Sequence, residues 1–116
     1  MSNFVAYTVA LDLVRALRPI VEQLRSHSSE LSDQVERAGT SIVLNIGEGN
    51  RRAGKDRRRF FTYAQGSASE IQAALDVAEA WGWPIDGAAA KRLVDRELRL
   101  LWGLTHASVD RSVRGG

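Results

Sequence analysis

Six basic side chains crowd nine positions near the middle of this sequence: Arg51, Arg52, Lys55, Arg57, Arg58 and Arg59, with Asp56 the one acid among them. The segment carries a net +5 in a chain whose formal charge is only +2, so the remaining residues sum to −3. Arginine supplies 14 of the 16 bases, and its planar fork matches phosphate and carboxylate oxygens better than the point charge of lysine. The chemistry expected of such a cluster is electrostatic. It would contact the phosphates of RNA or DNA, weaken with salt and read little of the bases. Phe61 and Tyr63, close behind it, could stack bases, although a core position is the stronger reading for both. An alternative is a protein–protein adaptor whose basic tip docks an acidic partner. The plainest reading is a solvated helix–turn–helix tip.

Catalytic chemistry finds little support. Gly49 to Lys55 matches the first seven positions of a phosphate-binding loop, G-x-x-x-x-G-K. The next position should hold a magnesium-binding hydroxyl, but it holds Asp56, and the residues before Gly49 repeat with helical rather than strand spacing. His27 and His106 have no second ligand at metal spacing. Ser67 and Ser69 lack the strand–turn–helix elbow that exposes a nucleophile. Glu48 and Glu70 could be imagined as a carboxylate pair, but no Glu-x-x-His motif accompanies them. With no cysteine there is no disulfide, thiolate metal site or thiol nucleophile. The expectation is a protein with no catalytic residues, metal or cofactor.

The elements that must position the basic cluster read as helices. Phe4, Tyr7, Leu11, Val14, Leu17, Val21 and Leu24 recur at steps of three and four, and Val5, Val9, Leu13 and Ile20 widen that face. Pro19 is expected to kink or break this first helix. Ser28 or Ser29 can cap a second, with the stripe Leu31, Val35, Ala38, Ile42, Ile46 and Gly49. A third carries Phe60, Ala64, Ser67, Ile71, Ala74, Leu75, Ala78 and Trp81 inward. Gly82 suits the residue after its end, and Pro84 the first turn of a fourth. That fourth helix presents Ile85, Ala89, Leu93, Leu100, Leu104 and Ala107, with the tail from Asp110 frayed. The expected helices are residues 4–26, 30–50, 55–81 and 84–109, in one all-α domain, an antiparallel up-down four-helix bundle. No run is long enough to span a membrane and no signal peptide is evident, which places the protein in the cytoplasm.

Two further features bear on assembly. Val94, Leu98, Leu101 and Trp102 lie off the first apolar stripe of the fourth helix, and the first helix is equally broad, so a neighbour from another subunit is expected. On the second helix, Ser41, Asn45, Glu48 and Arg52 share one stripe beside Ile42 and Ile46. Folding back at Ala53–Gly54 sets Ser41 against Gly66 or Ser67, Asn45 against Thr62 or Tyr63, Glu48 against Arg59, and Ala38 against Ser69 or Glu70. Ser41, Asn45, Glu48, Ser67 and Glu70 therefore read as a structural polar network that fixes helix register.

These residues also carry a resemblance. Leu31, Gln34, Arg37, Ala38, Ser41, Ile42, Asn45, Ile46, Glu48, Gly49 and Arg52, followed by Phe60, Ala64, Gly66, Ser67, Glu70 and Leu75, resemble the signature of a small four-helix-bundle family. Its first members are encoded in intervening sequences of bacterial large-subunit ribosomal RNA genes. It includes the accessory variability determinant of diversity-generating retroelements. The resemblance implies a homopentameric ring and no catalytic residues. For the retroelement branch it implies nucleic-acid binding on a positive surface and partnership with a reverse transcriptase. Gly47 stands where the family usually has alanine. Whether the basic cluster faces a channel or a rim is left open.

Overall fold

The structure is a computed structural model that describes the backbone of residues 2–115 and the side chains of 4–106. It holds four helices and, among the described residues, no strand: α1 (Ser2–Arg25), α2 (Ser29–Asn50), α3 (Gly54–Trp81) and α4 (Ala88–Gly115). α1 packs on α2 and α4, and α3 packs on the same two, so the helices close a bundle around one core.

Local chemistry explains most of the boundaries. Ser28 is extended and its hydroxyl accepts the amide of Leu31, satisfying one of the free donors that open α2. α3 ends at Gly82, whose φ of +76° turns the chain left-handed while its amide reaches the Glu79 carbonyl. α4 begins at Ala88, four residues later than the position of Pro84 led us to expect. Residues 84–87 instead form a connector. Ile85 turns back onto the Trp83 carbonyl and packs on the core, and the Gly87 carbonyl takes the first helical bond, from Lys91. α4 then runs to Gly115, past the end expected near residue 109; the side chains of Ala107 and of the tail lie outside the described residues. Pro19 does not break α1, which is continuous through it, with the ring on an exposed face.

The core follows the expected stripe in α2, where Val35, Ala38, Ile42, Ile46 and Gly49 are buried, and departs from the expected stripes in α1, at the ends of α3 and in α4. In α1 the buried line is Ala6, Val9, Ala10, Leu13, Leu17, Ile20 and Leu24, while Phe4 is 73% exposed and Tyr7 and Val14 also face outward. In α3 the expected Ala64, Ile71, Ala74, Leu75 and Ala78 are buried, joined by Ala68, while Phe61 rather than Phe60 fills the core, Ser67 is half-buried and Trp81 is exposed. In α4 the buried line is Ala90, Val94, Glu97, Leu101 and Thr105. In α1 the choice follows from alanine: small side chains let helix backbones approach closely, so the face carrying Ala6 and Ala10 goes inward and the bulkier Phe4 and Tyr7 are left outside.

Three buried polar residues meet this core, and two are satisfied. Ser32 donates to the Val21 carbonyl of α1 at 2.7 Å, and Thr105 donates to the Leu101 carbonyl at 3.0 Å. Glu97 is 0% exposed, and neither carboxylate oxygen has a hydrogen-bond partner.

Candidate nucleic-acid interface

The basic cluster occupies the turn between α2 and α3. Two glycines fix that turn. Phe61, fully buried, lies against Gly49 so closely that a Cβ there would sit 2.6 Å from the ring. Only a residue with no side chain admits this approach. Gly54 acts through its backbone, since its φ of +61° starts α3 in a conformation glycine adopts freely.

Six basic residues meet here, but they are not equivalent. Arg52 donates to Glu48 at 3.0 Å and to Asp56 at 2.9 Å, and Arg59 donates to the other oxygen of Asp56 at 2.7 Å. The hydrogen bond that Arg52 gives to Glu48, then that it gives to Asp56, raises its pKa above the ordinary value. Phe60 packs beneath this chain, with the Arg52 and Arg59 guanidinium carbons each 5.3 Å from its ring centre and Tyr63 edge-on at 5.9 Å. Arg57 lies over the Phe61 ring at 5.0 Å. Arg51, Lys55 and Arg58 make no side-chain hydrogen bond or ion pair among the described residues; the first two are exposed and the third half-buried. Arg52 and Arg59 thus tie the turn together, and Arg51, Lys55 and Arg58 remain open to an external anion.

The predicted polar network is smaller than expected. Ser67 donates to the Ser41 hydroxyl at 3.0 Å across the α2–α3 seam, and Asn45 donates to both the carbonyl and the hydroxyl of Ser41 at 2.9 Å. Asn45 does not reach Thr62 or Tyr63. Glu48 pairs with Arg52 rather than Arg59, since a residue four positions along its own helix is nearer than one across the turn. Glu70 stays outside the network. With Ala68 and Ile71 turned inward, it points to solvent and makes no side-chain hydrogen bond among the described residues.

Sequence reasoning missed Glu97. Its signal was its phase, three residues after Val94 and four before Leu101. Burial raises its pKa to about 8, against a smaller opposing pull from Arg96. Elsewhere, no group of three His, Cys, Asp or Glu could hold a metal ion among the described residues. No helix searched is long and apolar enough to cross a membrane.

A four-helix bundle with the Ser41–Gly49 signature on its second helix now has a family to be set against. Residues 2–91 match the model of the 23S rRNA-intervening sequence protein family. The chain belongs to that family, and the match spans α1 to α3 and the opening of α4. A comparison with curated proteins finds no match.

Proposed function

We propose that this protein is a non-enzymatic, oligomeric scaffold that binds RNA or DNA through phosphates at the α2–α3 turn. The observation that carries this reading is the division of labour in the turn. Both nearby acids, Glu48 and Asp56, are taken by Arg52 and Arg59, so Arg51, Lys55 and Arg58 keep their full charge for a ligand. Arg57, held over Phe61, adds a fourth cation, fixed by packing.

The oligomer rests on a separate observation. The outer side of α1 exposes Phe4, Tyr7 and Val14, α2 adds Leu44 at 66% exposed, and α4 adds Trp102. A groove of about 370 Å³ adjoins it at Val14, lined by Leu17, Val21 and Val35 together with charged residues such as Arg18 and Glu36. We assign this apolar face to contacts between copies of an antiparallel up-down bundle closing as a ring of five. Repeating the basic turn around a ring converts one weak site into a multivalent one. That form suits presentation of a nucleic acid to a reverse transcriptase.

The test is binding of a short single-stranded RNA and its DNA counterpart across a salt series. Replacing Arg51, Lys55 and Arg58 together with glutamine should flatten the log–log salt slope by about 2, from roughly 0.7 per lost phosphate contact. Arg59→Gln should change it much less. An unchanged slope in the triple variant would remove the site. Light scattering supplies the second readout: a mass near that of the 12.8 kDa single chain would remove the ring.

A further inference from the structure

The far end of α3, away from the basic turn, carries a different surface. His27 from the α1–α2 connector, Trp83 from the α3–α4 connector and Trp81 from the last turn of α3 form a run of three stacked rings. The His27 and Trp83 centres lie 5.3 Å apart with planes 17° from parallel, and those of Trp81 and Trp83 lie 6.4 Å apart at 12°. The left-handed Gly82 reverses the chain between the two tryptophans and so brings their rings together. Trp81, at the outside of the stack, is 71% exposed.

The surroundings are acidic. Residues 22–33 and 76–91, which make up this end, hold six acids and two bases, a net −4. Beside Trp83 a groove of about 300 Å³ is lined in part by Glu79, Ile85 and Lys91. It already holds one cation, since the Lys91 ammonium is hydrogen-bonded by Glu79 and lies 3.8 Å from Asp76. That hydrogen bond raises the pKa of Lys91 and lowers that of Glu79.

The two ends use the same chemistry differently. At the basic turn, guanidinium groups of the chain itself cover Phe60 and Phe61. No side-chain cation covers Trp81 or Trp83 among the described residues, although tryptophan is the ring that attracts a cation most strongly. The apolar part of this surface is one exposed indole beside a small groove, which suits a short segment.

We propose that this end binds a short arginine-bearing polypeptide segment, with guanidinium groups stacked on the open face of Trp81 and the acidic surroundings balancing their charge. This inference is independent of nucleic-acid binding at the basic turn. The probe is dye-labelled hepta-arginine, capped at both termini, titrated into the full-length chain and followed by fluorescence anisotropy, with hepta-lysine beside it. Binding should saturate, favour the arginine peptide, and weaken ~3–5-fold in Trp81→Ala. Trp81→Phe should recover part of the loss. Because Trp81 is exposed its removal leaves the core intact, which helical circular dichroism verifies for each variant. The double variant Asp76→Asn/Asp86→Asn should weaken binding and reduce its salt dependence. Equal affinity in Trp81→Ala and the parent would overturn the proposal. So would a labelled thymidine oligonucleotide that loses affinity in Trp81→Ala while the peptide does not, which would give the surface to nucleic acid.

Discussion

Two sets of polar side chains between the helices are handled in opposite ways. Along the α2–α3 seam, Ser41, Asn45 and Ser67 are half-buried and bond one another, each hydroxyl or amide finding a partner within 3.0 Å. In α4, Glu97 is fully buried and bonds nothing. A satisfied network of neutral groups costs little and holds helix register. A buried carboxyl without partners carries its whole desolvation penalty, and escapes part of it by keeping a proton. The seam is specification at small cost, and Glu97 is a standing strain on the fold.

The largest expected effect follows from removing that strain. Glu97→Leu should stabilise the protein at neutral pH by about 2–3 kcal/mol, the cost of a buried unsatisfied polar group together with the transfer of its carbons. The pH dependence sharpens the contrast. The folded Glu97 pKa, near 8, is raised above an unfolded value of 4.5, so folding takes up a proton between those limits. Stability must therefore fall as pH rises from 4.5 towards 8 and level off above it. Glu97→Gln keeps the shape and cannot titrate, so its denaturation midpoint should lose that slope. Parallel stability–pH curves for parent and Glu97→Gln would show that the carboxyl does not titrate as its burial requires.

Next in size is a change at the tip of the seam. Gly49→Ala puts a methyl group 2.6 Å from a ring atom of Phe61, and Phe61 is held in the core with no room to retreat. Overpacking of this kind costs about 1–3 kcal/mol, against which the gain in helix propensity is smaller. Since Phe61 also carries Arg57, the variant should weaken nucleic-acid binding as well as chemical stability towards urea. Unaltered urea unfolding would mean that the close approach of ring and glycine is not a constraint.

The same comparison explains how much of the molecule was legible beforehand. Four helices follow from steps of three and four in the apolar residues, and the Ser41–Ser67 contact follows from folding the chain back at Gly54. Which side of each helix faces inward was harder to read, because α1 and α4 are apolar on more than one side. Phe4, Tyr7 and Val14 share helical spacing with Ala6, Ala10 and Leu13, and hydrophobicity alone cannot choose between the two lines. Packing distance chooses, and it favours alanine. In α3 the middle of the stripe was legible, from Ala64 to Ala78, but which of two adjacent phenylalanines goes inward was not, and Ala68 takes the buried place while Glu70 goes to solvent. The basic cluster was legible as a group, but its internal pairing was not. By charge alone Asp56 is one acid against six bases, whereas in the fold it is the acid that links Arg52 and Arg59.

Within the seam itself the effects should be smaller. Ser41→Ala removes the acceptor shared by Ser67 and Asn45 and should cost about 0.5–1.5 kcal/mol, the net worth of a typical internal hydrogen bond. Asn45 keeps its bond to the Ser41 carbonyl, and the orphaned Ser67 hydroxyl is only half-buried, so water replaces much of what is lost. Ser67→Ala in the Ser41→Ala background should add little, because the interaction is already gone. A double-mutant cycle on the two serines measures that coupling, and additive losses would mean that the 3.0 Å contact does not hold the helices together.

The smallest effect tests whether the seam tolerates an ordinary helix residue where it does not need glycine. A Cβ at Gly47 would lie 3.6 Å from the Tyr7 ring, an ordinary van der Waals distance, so Gly47→Ala meets no obstacle in the single bundle. Alanine should then stabilise α2 by about 0.5–1 kcal/mol through helix propensity. Two glycines two residues apart on one helix thus predict changes of opposite sign, one set by a neighbour at 2.6 Å and the other by backbone entropy. Thermal unfolding of the two variants side by side decides it. A loss in Gly47→Ala would mean that something besides Tyr7 presses on this position. The outer face of α1 carrying Tyr7, assigned above to contacts between copies, is where that pressure would originate.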